Sequence, residues 1–253
     1  MPNKIPFPKM SGEPRLYRTL ESSSDDCDPS KPDDPYENME EKCLSIGIDV
    51  QPRGYALCAI LKDFPIITAW NIEKKKKEAI ATGTEAVYID FISIPEGFKT
   101  KNVFYPPNLK YEIKVFWMNV LEQIGKLNHK FKIVDVQINI EKSFLNESNI
   151  RLEAYIYSEF QLDRCKRIMK KINLNFYENL KGYKVNLYLP RTWMSWFGLQ
   201  PSKFGKKYYV RGMEEELNKG FGKDRIETLI STERTELHDL VDSYFISVYS
   251  PAT

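Results

Sequence analysis

The segment from Ile133 to Glu141 constrains the fold of this 253-residue chain more than any other. Its apolar residues alternate with polar ones, the period of a β-strand that buries one face, and Glu141 stands at its C-terminal end. A second segment, Leu44 to Val50, has the same period, and Asp49 lies near its end on the polar face. Two acidic residues are thus predicted at the ends of two strands.

Further elements follow from the same patterns. The turn residues 51–54 predict a hairpin between the first strand and its neighbour, and the order of strands and helices predicts a mixed α/β fold, with a sheet of five or more strands flanked by helices. Either 66–72 or 86–94 supplies the third strand of the core sheet, and the pattern leaves that choice open. The predicted strands are 44–50, 55–61, 66–72, 86–94, 133–141 and 183–189, and the predicted helices are 111–127, one long helix after 146–148, and 232–248.

The last predicted helix, 232–248, carries two more acids. Its apolar residues recur at spacings of three and four, whereas Asp239 and Asp242, three apart, lie together on its other side. If the first strand and the Glu141 strand are parallel neighbours joined by a right-handed crossover, Asp49 and Glu141 leave the sheet at the same edge. We expect the helix to bring its two aspartates to that edge, on its solvent side.

Four carboxylates at one place repel one another unless cations or protons lie between them. Magnesium prefers oxygen ligands, and two ions about 3.5–4 Å apart support phosphodiester hydrolysis. We expect Asp49 to lie between both ions, Glu141 and Asp242 to bind one each, and Asp239 to bind metal or orient water. His238 is either a proton acceptor or a helix residue facing solvent, and the second interpretation is preferred.

Taken singly, each acid has a simpler explanation. An aspartate after a strand often forms a turn, a glutamate after a strand is often solvated, and an Asp-x-x-Asp pair on a helix is usually a solvated face. Their joint placement, at two strand ends and on a C-terminal amphipathic helix, favours a site.

Residues 1–42 differ in composition from the rest. They hold six Lys and Arg against ten Asp and Glu, with several Pro and Ser residues, and are predicted to be a disordered acidic tail. Residues 43–253 form the predicted folded domain, with 31 basic against 25 acidic residues. This basic surplus suits a polyanionic partner only modestly.

Neither a membrane span nor a secretion signal is predicted from the sequence. The acidic N-terminal segment also argues against a mitochondrial presequence. The four cysteines are scattered without metal-ligand spacing, which predicts free thiols in a reducing compartment. The chain is therefore expected inside the cell, in the nucleus, the cytoplasm or a viral replication site, and not as a secreted protein.

Three segments carry a resemblance to a known family: Leu44 to Asp49, Ile138 to Glu141 with Ser148 to Arg151, and His238 to Ser243. They resemble the RuvC-like Holliday junction resolvases of the RNase H-like superfamily, most of all the poxvirus and yeast mitochondrial types. The resemblance implies an RNase H-like nuclease domain, a homodimer that binds a four-way DNA junction, and paired symmetric nicks made with magnesium or manganese. By the same resemblance the four acids correspond to Asp49, Glu141, Asp239 and Asp242.

The chain departs from the viral relatives at two places. Val50-Gln51-Pro52-Arg53 stands where they often have Gly and Asn, and Ser143 stands where they often have Gln. These differences bear on the choice of substrate more than on the metal chemistry.

The segment Ser202 to Arg211 interleaves basic and aromatic residues, a composition suited to phosphates and unstacked bases, although a mobile surface loop would look the same. Similar enzymes use a lysine at the scissile phosphate, which makes Lys207 or Lys206 the candidate here. Trp193, Trp196 and Phe197 are expected in the core or a dimer contact. The candidate DNA-binding residues are Lys203, Lys206, Lys207, Tyr208, Arg211 and, from the second segment of resemblance, Arg151.

Three functions remain in competition. The first is a junction-resolving nuclease, the second another RNase H-like nuclease acting on RNA/DNA hybrids or flaps, and the third a catalytically silent scaffold that binds nucleic acid or protein. Retention of four mutually repelling acids counts against the scaffold.

Overall fold

The structure, a computed structural model, describes residues 39–64, 67–71, 76–80, 84–94, 108–127, 131–143, 147–171, 180–197, 213–232 and 235–249. Most of the predicted 1–42 tail lies outside these ranges. The first strand begins at Glu40, three residues before the predicted start of the folded domain.

Seven strands and seven helices occur in the described ranges. The strands are β1 Glu40–Gln51, β2 Gly54–Asp63, β3 Ile67–Asn71, β4 Lys76–Ile80, β5 Glu85–Ser93, β6 Phe131–Glu141 and β7 Gly182–Tyr188. The helices are α1 Leu109–Lys126, α2 Glu147–Glu159, α3 Leu162–Lys171, α4 Pro190–Trp196, α5 at 213–221, α6 Lys223–Thr232 and α7 Leu237–Val248. None of them combines the length and apolar composition that a membrane-spanning helix requires.

Five strands form one mixed sheet in the order β5-β2-β1-β6-β7. β1 is antiparallel to β2, and β2 to β5, whereas β6 and β7 run parallel to β1. This confirms the predicted mixed α/β fold, and β5 is the third strand of the core sheet. β3 pairs with β4 in a separate two-stranded ladder, and β4 was not predicted from the sequence.

Helices cover the sheet on both faces, so there are two hydrophobic cores. Alternate residues such as Ile46 and Ile48 of β1 pack with α1, α2 and α3 on one face. The other face of the sheet packs against α7 together with residues of α4, α5 and α6, among them Trp193. The polar face of β1 is therefore as deeply buried as its apolar face.

The predicted long helix after 146–148 is two helices. The backbone amide of Phe160 still donates a hydrogen bond to the carbonyl of Ile156. The carbonyl of Gln161 then accepts hydrogen bonds from the amides of Arg164 and Cys165, in the first turn of α3. This break places both Phe160 and Cys165 in the core that α1 shares.

The boundary and the surroundings of the final helix also differ from the prediction. α7 begins at Leu237, where Glu236 and Asp239 form a reciprocal capping box, and residues 223–232 belong to α6. The prediction that Asp239 and Asp242 lie on the solvent side of this helix is wrong, because they are only 6% and 4% exposed. Neighbours surround the helix because the sheet covers one side and the α4 to α6 region packs on the other.

Glycine allows α7 to approach the sheet this closely. A Cβ atom on Gly47 of β1 would lie 2.0 Å from the carbonyl oxygen of Ser243 and 2.3 Å from the amide nitrogen of Ser247. Only a residue without a side chain fits at this crossing, which fixes the height of α7 above β1.

Candidate active site

Asp49 and Glu141 lie side by side at one edge of the sheet. The parallel ladder between β1 and β6 pairs Ile48 with Ile140, and each acid is the next residue of its strand. Asp49 is completely buried, and Glu141 is partly buried. The predicted adjacency of the two strands, and the common edge for their acids, are both present.

α7 brings its first turns to the same edge. Ser243 and Ser247 lie against Gly47, so the residues that precede Ser243 extend towards Asp49. The charges of Glu141, Asp242 and Asp239 all act on the Asp49 carboxylate. The structure therefore brings the four predicted acids, which come from three separate elements, into one electrostatic group.

Asp49 is the most perturbed of these acids. Burial is the largest cause and raises the pKa of the Asp49 carboxyl well above its usual value, and the charges of Glu141, Asp242 and Asp239 raise it further. A hydrogen bond from Gln51 Nε2 to Asp49 Oδ2, 2.7 Å long, opposes this shift. A negative charge on Asp49 is costly in the protein without a compensating cation.

Different neighbours orient Glu141 and Asp239. Trp193 Nε1 donates a hydrogen bond of 2.8 Å to Glu141 Oε2. Thr235 Oγ1 and the amide of Glu236 donate to Asp239 Oδ2 at 3.3 Å and 3.4 Å, which ties Asp239 to the start of α7.

His238 lies at the rim of the acidic group. Its Nδ1 is 2.9 Å from Glu236 Oε2, and its Nε2 is 2.9 Å from Asp239 Oδ1 without the geometry of a hydrogen bond. The side chain is 30% exposed. His238 thus faces solvent in part, as preferred from the sequence, and also contacts a candidate ligand.

The donor set fits a hard divalent cation. All four candidate ligands are carboxylates, the ligand type that magnesium and manganese favour. Among the described residues Asp49 Oδ1 has no hydrogen-bond partner although it is buried, and an unsatisfied buried carboxylate oxygen is expected where a cation binds. Within the described ranges no group of three or more acidic, histidine or cysteine side chains has metal-ligand spacing, and magnesium usually keeps several waters and takes only one or two protein carboxylates.

Of the candidate DNA-binding residues, only Arg151 lies in the described part of the chain. It stands one turn after Glu147 on α2 and forms an ion pair with that residue, with 37% of its side chain exposed. The other candidates lie outside the described residues: Lys203, Lys206, Lys207, Tyr208 and Arg211.

Two residues that contact the acids were not predicted from the sequence. Gln51 lies two positions after Asp49 and therefore on the same face of β1, a signal that was available. Trp193 was predicted only as a core or dimer residue. It is indeed a core residue, 1% exposed, but no sequence pattern links its indole nitrogen to Glu141.

Solved structures that are similar to this chain include the following two. The yeast mitochondrial Holliday junction resolvase Ydc2 is 14% identical with a TM-score of 0.35, over 84% of this chain and 79% of that protein. RuvC of Thermus thermophilus is 13% identical with a TM-score of 0.37, over 81% of this chain and 91% of that protein. No protein-family model matches the sequence, and no curated protein matches it significantly. Similarities this distant concern the fold alone. The solved structures similar to this chain include RuvC-like proteins, the group that the three sequence segments resemble.

Proposed function

We propose that this chain is a metal-dependent endodeoxyribonuclease that resolves four-way DNA junctions by paired, symmetric phosphodiester hydrolysis. One observation carries the proposal: acids from β6 and α7 act on a single buried carboxylate of β1, that of Asp49. A protein that only bound nucleic acid would gain nothing from this repulsion. Bound divalent cations would relieve it.

The proposed roles follow from the positions of the acids. Asp49 lies deepest and its charge is affected by the other three, so we assign it to both of two metal ions. Glu141 and Asp242 would each hold one ion, and Asp239 would bind metal or orient water. Bound magnesium or manganese supplies Lewis acidity and lowers the pKa of water.

His238 is the candidate to exchange protons at the rim. It is partly exposed and contacts Asp239, so it can pass a proton between the site and solvent. Substrate contacts would come from Arg151 and from Lys203, Lys206, Lys207, Tyr208 and Arg211, with Lys207 or Lys206 at the scissile phosphate.

The choice of a four-way junction as substrate rests on the three sequence segments that resemble RuvC-like resolvases. A homodimer follows from the same proposal, because paired symmetric nicks require two sites related by the two-fold axis of the junction. The segment that precedes Glu40, the first residue of β1, is proposed to lie outside the nuclease domain.

The test is cleavage of a synthetic four-way junction in magnesium, beside linear duplex, RNA/DNA hybrid and flap substrates. The wild-type protein should nick the junction at paired positions. Asp49→Asn should lower the rate by more than about 100-fold, since even partners of metal ligands contribute 10–100-fold. Asp224→Asn, a matched change at an exposed position of α6, should cleave like wild type.

Other outcomes would favour the competing functions. Preferential cleavage of hybrids or flaps would identify a different RNase H-like nuclease. Tight junction binding without cleavage in magnesium or manganese would identify a scaffold and refute the proposal.

A further inference from the structure

Trp193 connects the two parts of the acidic site. Its Nε1 donates a 2.8 Å hydrogen bond to Oε2 of Glu141, and its ring lies nearly parallel to that of Phe245 on α7, with centroids 6.4 Å apart and an interplanar angle of 26°. One side chain thus contacts both the strand acid and the helix that carries Asp239 and Asp242.

The backbone places Trp193 there by a short path. Glu141 pairs with Tyr188, the last residue of β7, and α4 begins two residues later at Pro190. Proline suits the first turn of a helix because its missing N–H is not needed there. Trp193 therefore comes one turn into α4, directly above the end of β6.

Burial makes this contact directional. Trp193 is 1% exposed and belongs to the core formed with α7, so its ring has little freedom to turn. A glutamate side chain, by contrast, has three rotatable bonds and is pushed outwards by the neighbouring negative charges. A hydrogen bond from a fixed indole to a carboxylate is charge-assisted and opposes that movement.

We propose that Trp193 is a positioning residue that holds Glu141 in its metal-binding orientation before the metal binds. The inference rests on the proposed metal site and adds a residue to it. Partners of metal ligands generally fix ligand orientation, and their loss lowers metal affinity by about 10–100-fold. Trp193 should therefore affect metal affinity, and it should have little effect on junction binding.

The test compares two matched variants in the same helix. Trp193→Phe keeps an aromatic ring beside Phe245 but removes the N–H donor. Trp196→Phe makes the same change at a partly buried tryptophan that packs on Phe197 and Tyr249. Manganese binding to the DNA-free protein is measured by the electron paramagnetic resonance signal of free ion, and junction affinity is measured in EDTA.

Trp193→Phe should weaken manganese binding about 10–100-fold, with junction affinity within twofold of wild type. In cleavage assays the metal concentration for half-maximal rate should rise, while the rate at saturating metal stays within a fewfold of wild type. Trp196→Phe should bind manganese like wild type. A merely structural role for Trp193 would lower thermal stability and leave metal affinity unchanged, which would overturn the inference.

Asp49→Asn separates this inference from the proposed function. If Asp49→Asn abolishes manganese binding and Trp193→Phe does not weaken it, only the role of Trp193 is wrong. If Asp49→Asn binds manganese like wild type, the metal site itself is wrong.

A second measurement does not require Trp193→Phe to fold. In the ¹⁵N-labelled protein, Glu141→Gln replaces the charged acceptor of the indole N–H with a neutral one. One of the four tryptophan indole resonances should move upfield by more than all others. Four unmoved indole resonances would also overturn the inference.

Discussion

At the residue scale, Asp49 shows most clearly how this site differs from a structural cluster. Its carboxylate is buried, one of its oxygens has no partner in the described part of the chain, and three other acids raise its pKa. A structural aspartate in a core normally has hydrogen bonds to both oxygens and a cation nearby. A negative charge on Asp49 is therefore unfavourable in the absence of a cation.

Asp49→Asn should stabilise the metal-free protein at neutral pH. The pKa of Asp49 is raised in the folded protein, so the stability associated with its protonated form is complete below the usual value of 3.8 and is lost as the pH rises through the folded-state pKa. Asparagine has no charge and can still accept the bond from Gln51. Thermal unfolding in EDTA at pH 7 should show a higher Tm, by roughly 2–4 °C for each kcal/mol gained.

The gain should shrink as the pH is lowered towards 4, because wild-type Asp49 then takes up a proton. Asp224→Asn is the control: it removes an exposed carboxylate from the first turn of α6, where negative charge is favourable, so it should not raise the Tm. A lower Tm for Asp49→Asn in EDTA would contradict the electrostatic account.

Lys62 is a second residue with an unusual charge environment. It is 1% exposed, and burial lowers the pKa of its ammonium group to about 8, although Cys43 and Asp135 nearby act in the opposite direction. Its Nζ lies 3.5 Å from the carbonyl oxygens of Val248 and Tyr249, at the C-terminal end of α7. The negative end of the helix dipole compensates part of the cost of its burial.

The contribution of Lys62 to stability should depend on pH in a defined window. The unfolded chain holds the Lys62 proton up to about pH 10.5 and the folded protein only to about pH 8, so stability rises with pH between these values. The free energy of unfolding of wild type minus that of Lys62→Met should increase by about 3 kcal/mol from pH 7 to 10.5. Urea unfolding at a series of pH values measures it.

Lys42→Met is the matched control for this measurement. The pKa of Lys42 is raised, despite an opposing effect of burial, by hydrogen bonds with Asp63 and Glu40. Its stabilising contribution should therefore stay constant through the same window and fall only above the usual value of 10.5. If the difference in free energy of unfolding between wild type and Lys62→Met did not change between pH 7 and 10.5, Lys62 would stay charged in the folded protein.

The four acids were predictable residue by residue because a period of two or of 3.6 fixes which face of an element carries them. The position of Gln51 beside Asp49 is predictable in the same way, because residues two apart in a strand lie on the same face. Trp193 does not, because its contact with Glu141 depends on the angle between β7 and α4, which no local pattern encodes. The burial of Asp239 and Asp242 depends on what covers α7, and the sequence contains no local sign of that cover.

At the element scale, α7 is held to the sheet at two kinds of contact. Gly47 allows the backbone of α7 to touch β1. Polar side chains of the sheet also donate hydrogen bonds to the last carbonyls of the helix. Ser45 Oγ donates to the carbonyl of Ser247 at 2.7 Å, and Asn139 Nδ2 donates to that of Ile246 at 3.2 Å. These bonds satisfy carbonyls that a helix end otherwise leaves unpaired.

Alanine substitutions at Gly47 and at Gly125 should have opposite effects on the stability of the protein. Gly47→Ala places a methyl group within 2.3 Å of backbone atoms of α7, so the helix must shift. Such overpacking costs about 1–3 kcal/mol and sometimes more, and contact with backbone places this case at about 3 kcal/mol or above. At Gly125 of α1 the added carbon would meet no atom within 4 Å beyond the neighbouring residues and backbone of its own helix. Gly125→Ala should stabilise the protein by up to about 1 kcal/mol.

Chemical unfolding of both variants measures the difference, and cleavage assays should show that only Gly47→Ala loses activity, because α7 carries two of the acids. Equal stability of the two variants would show that α7 does not lie as close to β1 as described.

Strong periodicity predicted the elements that form the sheet and the first helix, and their positions agree within a few residues. The short elements α4, α5 and α6 were not predicted, and α2 and α3 were predicted as one helix. In these regions tertiary contacts, such as the packing of Phe160 against Trp117, determine where a helix stops.

At the scale of the whole molecule, the sheet order follows from a few rules. Parallel strands joined by a right-handed crossover become neighbours, and a tight turn makes a hairpin, which together predicted the β2-β1-β6 centre. The choice of β5 over β3 as the outer strand was not predictable, because both segments have suitable composition. The separate β3-β4 ladder depends on β4, a lysine-rich segment with little sequence signal for a strand.

The distance in sequence between β1 and α7 has a consequence for biosynthesis. A nascent chain that has emerged only as far as α6 possesses Asp49 and Glu141 but lacks Asp239 and Asp242, and nothing yet lies over Gly47. On the proposed function, an incomplete translation product cannot cut DNA, so the order of synthesis itself delays the nuclease activity until the last helix has docked.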